Sequence, residues 1–327
     1  MNNPHLNPKL FDEDIEQKPS RDGFGEGLVI AAENDKNVVG LCADLTESTR
    51  IQAFAEKFPE RFIEIGVAEQ NLATTAAGMA LGGKIPFISS YATFSPGRNW
   101  EQIRTTICYN DVPVKIIGSH AGVSVGPDGA THQALEDMAM MRALPNMVVI
   151  CPADWIEAKK ATIAIAKNGK PSYMRLSREK VPTITTEDTP FEIGKAEVYK
   201  EGDDATIIAC GQMVYYALLA SHELEKHNIS VRVINCHTIK PIDKKTILLA
   251  AEETGAVVTV EEHQITGGLG GAVAEVLSQN FPVPLKIIGV EDHFGESGEP
   301  NELLKKFGLT KENIIKAVTA VIRMKGK

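Results

Sequence analysis

The chain has 327 residues, 34 Lys and Arg against 43 Asp and Glu, a formal charge of −9 and a pI near 5.5. That length predicts about two domains, each large enough for its own core, and the acidic balance excludes a general nucleic-acid binder, which needs a basic face. No run of about 18 apolar residues offers a membrane span, the start lacks the basic flank and apolar stretch of a secretion signal, and five scattered cysteines without CxxC predict a reduced, cytoplasmic setting.

Residues 1–20 read as an N-terminal arm rich in Asn, Pro and charge, with little to bury. Apolar, β-rich runs then predict strands at 37–44, 61–67, 84–92, 112–120, 147–154 and 171–178. Between them, the small and apolar residues of 68–83 predict a closely packed helix, and 97–107 and 155–167 also read as helical. The rhythm pauses at a proline- and threonine-bearing stretch, so the first domain is expected over 21–185, a linker over 186–192 and a second domain over 193–327. There the strands are expected at 205–211, 230–237, 255–263 and 285–292, and helices at 212–227, 242–253, 268–279, 299–306 and 310–325. Short apolar strands alternating with helices predict an α/β fold: two domains, each a mostly parallel sheet flanked by helices.

In such sheets ligands bind beyond the carboxyl ends of the strands. Asp44 ends the first run, Glu69 opens a helix after the second, and His120 ends the fourth. Asp128 and His132 lie in the glycine-rich stretch 122–133, and Arg175 and Arg178 end a further run. Carboxylates, imidazoles and guanidiniums at successive strand ends suit an acid/base site that also binds an anion. Each has a blander explanation: Glu69 complementing a helix dipole, Asp44 and Glu47 forming a capping box, Asp128 serving a turn, the arginines pairing with surface acids. Neither GxGxxG after the first strand nor GxxxxGK[ST] is present. GGLGG (267–271) reads as a close turn with tight helix packing. No Cys/His grouping has metal-ligand spacing, so no metal site is expected on this chain. Cys236 and His237 are neighbours on a strand and point to opposite faces, which argues against a nucleophile pair.

RDGFGEG (21–27), ADLTEST (43–49), ERFIEIGVAEQNLATTAAGMAL (60–81), YATFSPGRNWEQIR (91–104), GPDGATHQALEDMAMMRALPNM (126–147) and LSREKVP (176–182) resemble the pyrimidine-binding domain of transketolases. TIKPID (238–243), VEEHQITGGLGGAVAEVL (260–277) and FGESGEPNELLKKFGL (294–309) resemble that family's C-terminal domain. The family's diphosphate-binding domain, with GDG followed by Asn, has no counterpart here. The resemblance therefore implies the C-terminal subunit of a split, two-chain transketolase. Its N-terminal partner chain would carry that motif and the ligands of Mg²⁺ (or Ca²⁺), in a heterotetramer with two sites.

The resemblance also implies residue roles. The cofactor would be thiamine diphosphate. Glu69 matches the glutamate that hydrogen-bonds N1′ of its aminopyrimidine, and in a dry pocket such a carboxyl can keep or share a proton. Phe94 matches the aromatic that stacks on that ring, Tyr91 shapes the same wall, and Asp44 with Leu45 lies near the cofactor. Farther along, SPGRNW replaces part of the family's aromatic stretch, so Arg98 falls near one such position and Trp100 is the remaining candidate contact. His132, which with Glu69 makes up the implied catalytic pair, and Asp128 match groups binding sugar hydroxyls; Arg21, Ser48, His120 and Arg178 match a sugar-phosphate clamp. The implied reaction is transfer of a two-carbon ketol unit between sugar phosphates in pentose phosphate metabolism. Alternatives are a 1-deoxyxylulose-5-phosphate synthase-like enzyme, from which Ala134 and His120 differ, and a noncatalytic assembly subunit.

Overall fold

The apolar runs become strands of two sheets. In the computed structural model, which describes residues 3–325, the first sheet has seven strands in the spatial order 238–240, 148–150, 172–175, 115–119, 85–91, 38–42, 62–64. The second has five, in the order 285–290, 257–264, 205–209, 231–235, 197–200. Pairing is parallel except at one edge of each sheet, where Thr238–Lys240 and Glu197–Lys200 run antiparallel. Val38–Cys42, Lys115–Ser119 and Ala205–Ala209 are buried at every residue. That burial on both faces is why they read as continuous rather than alternating apolar runs. Helices such as Glu69–Leu81, Trp155–Lys167, Met213–Glu225, Leu269–Asn280 and Lys311–Lys325 flank the sheets, as the α/β expectation required.

Three features depart from the sequence reading. A 15-residue helix, Ser20–Asn34, occupies a stretch where no element was expected. Its glycines disfavour a helix on propensity but serve packing. A Cβ on Gly23 would lie 1.8 Å from the Trp155 carbonyl oxygen, and one on Gly27 2.7 Å from that of Lys159. Glycine lets this helix lie directly against Trp155–Lys167. The second departure is 97–107, which is a turn of helix, Trp100–Gln102, opening into a π-helical stretch, Ile103–Cys108. There the Thr105 and Thr106 hydroxyls donate to the carbonyls four residues back, at 2.9 and 2.6 Å, competing with the regular ladder.

The third concerns the arm, which buries more than its composition suggested. Leu6, Leu10 and Ile15 are buried in the core of the second domain, and the Phe11 ring stacks on His222 at 4.4 Å. Gln17–Pro19 pairs with Lys180–Pro182. The domains are cross-tied elsewhere. Thr238–Lys240 adds its strand to the first sheet, and the Lys240 ammonium donates to the Arg142 carbonyl at 3.0 Å and to that of Leu144. Asp154 caps helix Trp155–Lys167, accepting from the N–H of Glu157 at 3.0 Å and from those of Ile184 and Thr185 at 2.8 and 2.7 Å. The Glu157 carboxyl accepts from the Ala153 N–H at 2.6 Å and from the Asn235 amide of the second sheet at 2.7 Å. Complete burial pushes its pKa up to about 8, with the Asp154 carboxylate acting in the same direction.

Candidate active site

The chemistry-bearing residues gather beyond the carboxyl ends of the first sheet. Glu69 is the first residue of helix Glu69–Leu81 and is only 4% exposed. The fully buried Asn99 holds the helix start, its amide donating to the Glu69 carbonyl at 2.9 Å and to Ser95 Oγ at 3.1 Å. Arg98 Nη1 donates to Glu69 Oε1 at 3.0 Å, while its guanidinium lies 4.1 Å from the Phe94 ring centre. A flat, nitrogen-bearing donor thus bridges a carboxylate and an aromatic face.

From Phe94 the contacts run outward through rings. Tyr91 is 5.9 Å from Phe94 and stacks on His120 at 3.9 Å; His132 stands edge-on to Phe94 at 5.3 Å and to Tyr91 at 6.1 Å. His120 has a left-handed backbone, φ 56°, at the turn after strand Lys115–Ser119. Arg21 Nη1 lies 3.1 Å from its Nε2, and Ser119 Oγ 2.9 Å from its Nδ1. Arginine only donates, so Nε2 is the acceptor and the ring proton sits on Nδ1, facing Ser119. Burial, reinforced by the Arg21 and Arg178 charges, pushes the His120 pKa down to about 2, leaving the imidazole neutral. Arg21 also donates to the Ser48 carbonyl at 2.7 Å, and burial beside Arg50 lowers its own pKa. Arg178 donates to the Val125 carbonyl at 2.6 Å and meets Glu179 at 3.1 Å. The charges of two guanidiniums thus bear on one neutral imidazole.

Glu69, Arg98, Phe94, His132, Tyr91, His120, Arg21 and Ser48 form one chain of contacts, in which Arg98 is the link between Glu69 and Phe94. Asp128 is the exposed last residue of the largely buried turn Val123–Asp128, four residues before His132. Asp44 lies on an exposed turn and forms no capping box: its backbone is left-handed (φ 58°), its N–H donates to Glu64 Oε1 at 2.7 Å, and the next helix begins only at Gln52. Leu45, beside it, is half-buried against the apolar cluster around Phe54. Trp100 departs from its expected place as a cofactor contact. Its indole N–H donates to the Met140 carbonyl at 3.1 Å and its ring packs on the apolar core. Arg175 serves the fold, buried against Asp137 at 3.2 Å and the Ala134 carbonyl at 3.2 Å.

Sequence reasoning missed Glu64, whose carboxylate takes the N–H groups of Asp44 and Gly66 at 2.7 and 2.8 Å and so ties together two strand-end loops. It also gave Asn99 no role. Cys236 and His237 take separate partners, Cys236 the Thr238 carbonyl and His237 the Thr238 hydroxyl. At 267–271 the N–H groups of Leu269 and Gly270 hold the buried Glu261 at 2.7 and 2.8 Å. Among the described residues, no cluster of three His, Cys, Asp or Glu is placed to hold a metal, and no helix is long and apolar enough to cross a membrane.

Residues 16–183 match the transketolase pyrimidine-binding domain and residues 194–314 the transketolase C-terminal domain. The chain belongs to the transketolase family. It is 40% identical to a 6-deoxy-6-sulfo-D-fructose transketolase subunit of Clostridium sp., covering 96% of this chain and 98% of that one. It is 38% identical to an apulose-4-phosphate transketolase subunit of Phocaeicola vulgatus, covering 93% and 97%. Among solved structures, a split-gene transketolase described as an inactive β4 tetramer superposes with a TM-score of 0.89 at 46% identity, covering 94% and 99%. The chain is thus a subunit of a thiamine-dependent transketolase-family enzyme.

The residues present fit the family's cofactor. The place between Glu69 and Phe94 already accepts a planar group that stacks on the ring and donates to the carboxylate. An aminopyrimidine offers the same flatness and the same hydrogen-bonding edge.

Proposed function

We propose that this transketolase-family chain transfers a two-carbon ketol unit from a ketose phosphate to an aldose phosphate, in pentose phosphate metabolism, together with an N-terminal partner chain. The observation that carries the reading is the unbroken run of contacts from Glu69 and Phe94, through His132 and Tyr91, to His120 and Arg21. A cofactor ring at one end and a sugar phosphate at the other would lie side by side. Thiamine diphosphate, when bound, supplies the nucleophilic carbon that no amino-acid side chain offers.

This chain's residues would do the rest. Glu69, nearly buried at a helix start, would hold a proton against the ring nitrogen. For that it must be released from Arg98, whose guanidinium already occupies Oε1 at 3.0 Å. Phe94 and Tyr91 would fix the ring's plane and keep water from the reacting carbon. His132 and Asp128 would bind sugar hydroxyls, while Arg21, Ser48, His120 and Arg178 would grip the phosphate.

The partner's part is supported by two observations. The helix beginning at Glu69 is flanked by open apolar side chains, Val67 at 68% exposure and Leu81 at 69%. A 46% identical split-gene relative is described as an inactive β4 tetramer. The partner would bring the diphosphate and Mg²⁺ ligands, in a heterotetramer with two sites. The test is to co-express both chains, add thiamine diphosphate and Mg²⁺, and assay xylulose 5-phosphate with ribose 5-phosphate. Ketol transfer that survives Glu69→Ala undiminished would overturn the proposal, as would a lone active monomer on size-exclusion chromatography. Condensation of pyruvate with glyceraldehyde 3-phosphate in its place would assign a synthase.

A further inference from the structure

The second domain reaches the loop that carries Asp128 and His132. Glu262, buried on strand Val257–Gln264, accepts the Ser124 N–H at 2.7 Å. Gln212, also from the second domain, donates to Ser124 Oγ at 3.0 Å and to the other Glu262 oxygen. The loop lies so close that a Cβ on Gly122 (φ 92°) would fall 2.3 Å from the Glu262 carboxyl carbon. Its far side is tied in the same way. The buried Gln133 amide donates to the carbonyls of Val123, Gly126 and, in the second domain, Glu296, at 3.2, 3.0 and 2.8 Å. Cβ atoms on Gly126 and Gly129 would meet Pro300 and Ser297. The FGESGEP segment (294–300) thus backs the loop from behind.

We infer that Glu262 is a positioning residue: through Ser124, with Gln212 and Gln133, it fixes the 122–133 loop so that Asp128 and His132 face the sugar. The inference rests on the reading of those two residues as sugar ligands. It gives the C-terminal domain a part in the reaction through the loop it holds. A buried carboxylate holding a loop N–H leaves that donor unsatisfied when it is removed, and a displacement of about 1 Å in a substrate-binding group costs on the order of a hundredfold in rate.

The test compares wild type with Glu262→Ala and Glu262→Gln in the assembled two-chain complex. Amide hydrogen exchange over 122–133 reports the clamp without reference to any reaction. Glu262→Ala should raise it, and should lower kcat/KM for sugar phosphates about 10- to 100-fold while the Kd for thiamine diphosphate stays within about twofold. Glu262→Gln keeps an oxygen for Ser124 and should recover most of both. Unchanged exchange would overturn the clamp. Raised exchange with unaltered sugar kinetics would overturn its role in catalysis, and so would a loss of sugar turnover, cofactor affinity and Tm together in both variants. A wild-type complex inert toward sugar phosphates would instead sink the functional reading, leaving the exchange experiment to judge the clamp alone.

Discussion

On the proposed placement of the cofactor ring between Glu69 and Phe94, Arg98 holds the same place, so its removal should tighten cofactor binding. Its guanidinium is 3.0 Å from Glu69 Oε1 and 4.1 Å from the Phe94 ring centre, and the side chain is 50% exposed. A half-exposed ion pair is worth about 0.2–1 kcal/mol, and a cation over an open ring about 0.5–1 kcal/mol. A ring taking this place would therefore displace about 0.7–2 kcal/mol of existing interaction. At 1.4 kcal/mol per factor of ten, Arg98→Ala should lower the Kd for thiamine diphosphate by roughly 3- to 30-fold. Titration calorimetry on the assembled apo-complex measures this directly, and the gap to wild type should narrow as salt screens the pair. Binding that weakens in Arg98→Ala, or stays the same, would refute the idea that guanidinium and cofactor compete for one place.

Three further outcomes are expected. Arg178→Ala should raise KM for a phosphorylated acceptor about tenfold or more, from the loss of a charge-assisted fork, with little effect on an unphosphorylated aldose; equal losses on both would remove the phosphate clamp. Gly23→Ala places a Cβ 1.8 Å from the Trp155 carbonyl oxygen and should destabilise by about 1–3 kcal/mol, so an unmoved denaturation midpoint would contradict the close helix contact. The third concerns pH. Glu157 keeps its proton to about pH 8 in the native chain, against 4.5 as its ordinary value, among Asp154, Lys160 and Tyr199. Between those values the native state binds the extra proton, so its contribution is full below 4.5 and is lost as pH rises toward 8. Stability should fall with pH across that window and Glu157→Gln should flatten the fall; parallel curves for both proteins would rule the assignment out.

Much of the architecture was legible because parallel strands buried on both faces leave unbroken apolar runs, as at Val38–Cys42 and Ala205–Ala209. Helix Trp155–Lys167 falls on the stretch expected for it, and Glu69–Leu81 lies within its own. Strand-end residues could be found because the topology carries them to one edge. Helix Ser20–Asn34 was hidden, since its glycines argue against helix locally and make sense only against the Trp155 and Lys159 carbonyls. The arm was misread because its few apolar residues, Leu6, Leu10 and Ile15, look negligible until the second domain meets them. Trp100 invited assignment as an aromatic contact, but a side chain's direction depends on how the 95–99 turn sets Arg98 and Asn99, which composition does not express. The roles of Glu64 and Glu262 are likewise long-range, each fixed by N–H groups distant in the chain.

Strand Thr238–Lys240 belongs by position to the second half of the chain and by pairing to the first sheet, while residues near the start close the core of the second domain. The two halves are therefore braided. Severing them anywhere along the linker would strip an edge from one and a plug from the other, so the subunit is expected to melt in a single cooperative event and to resist dissection into separately expressible pieces.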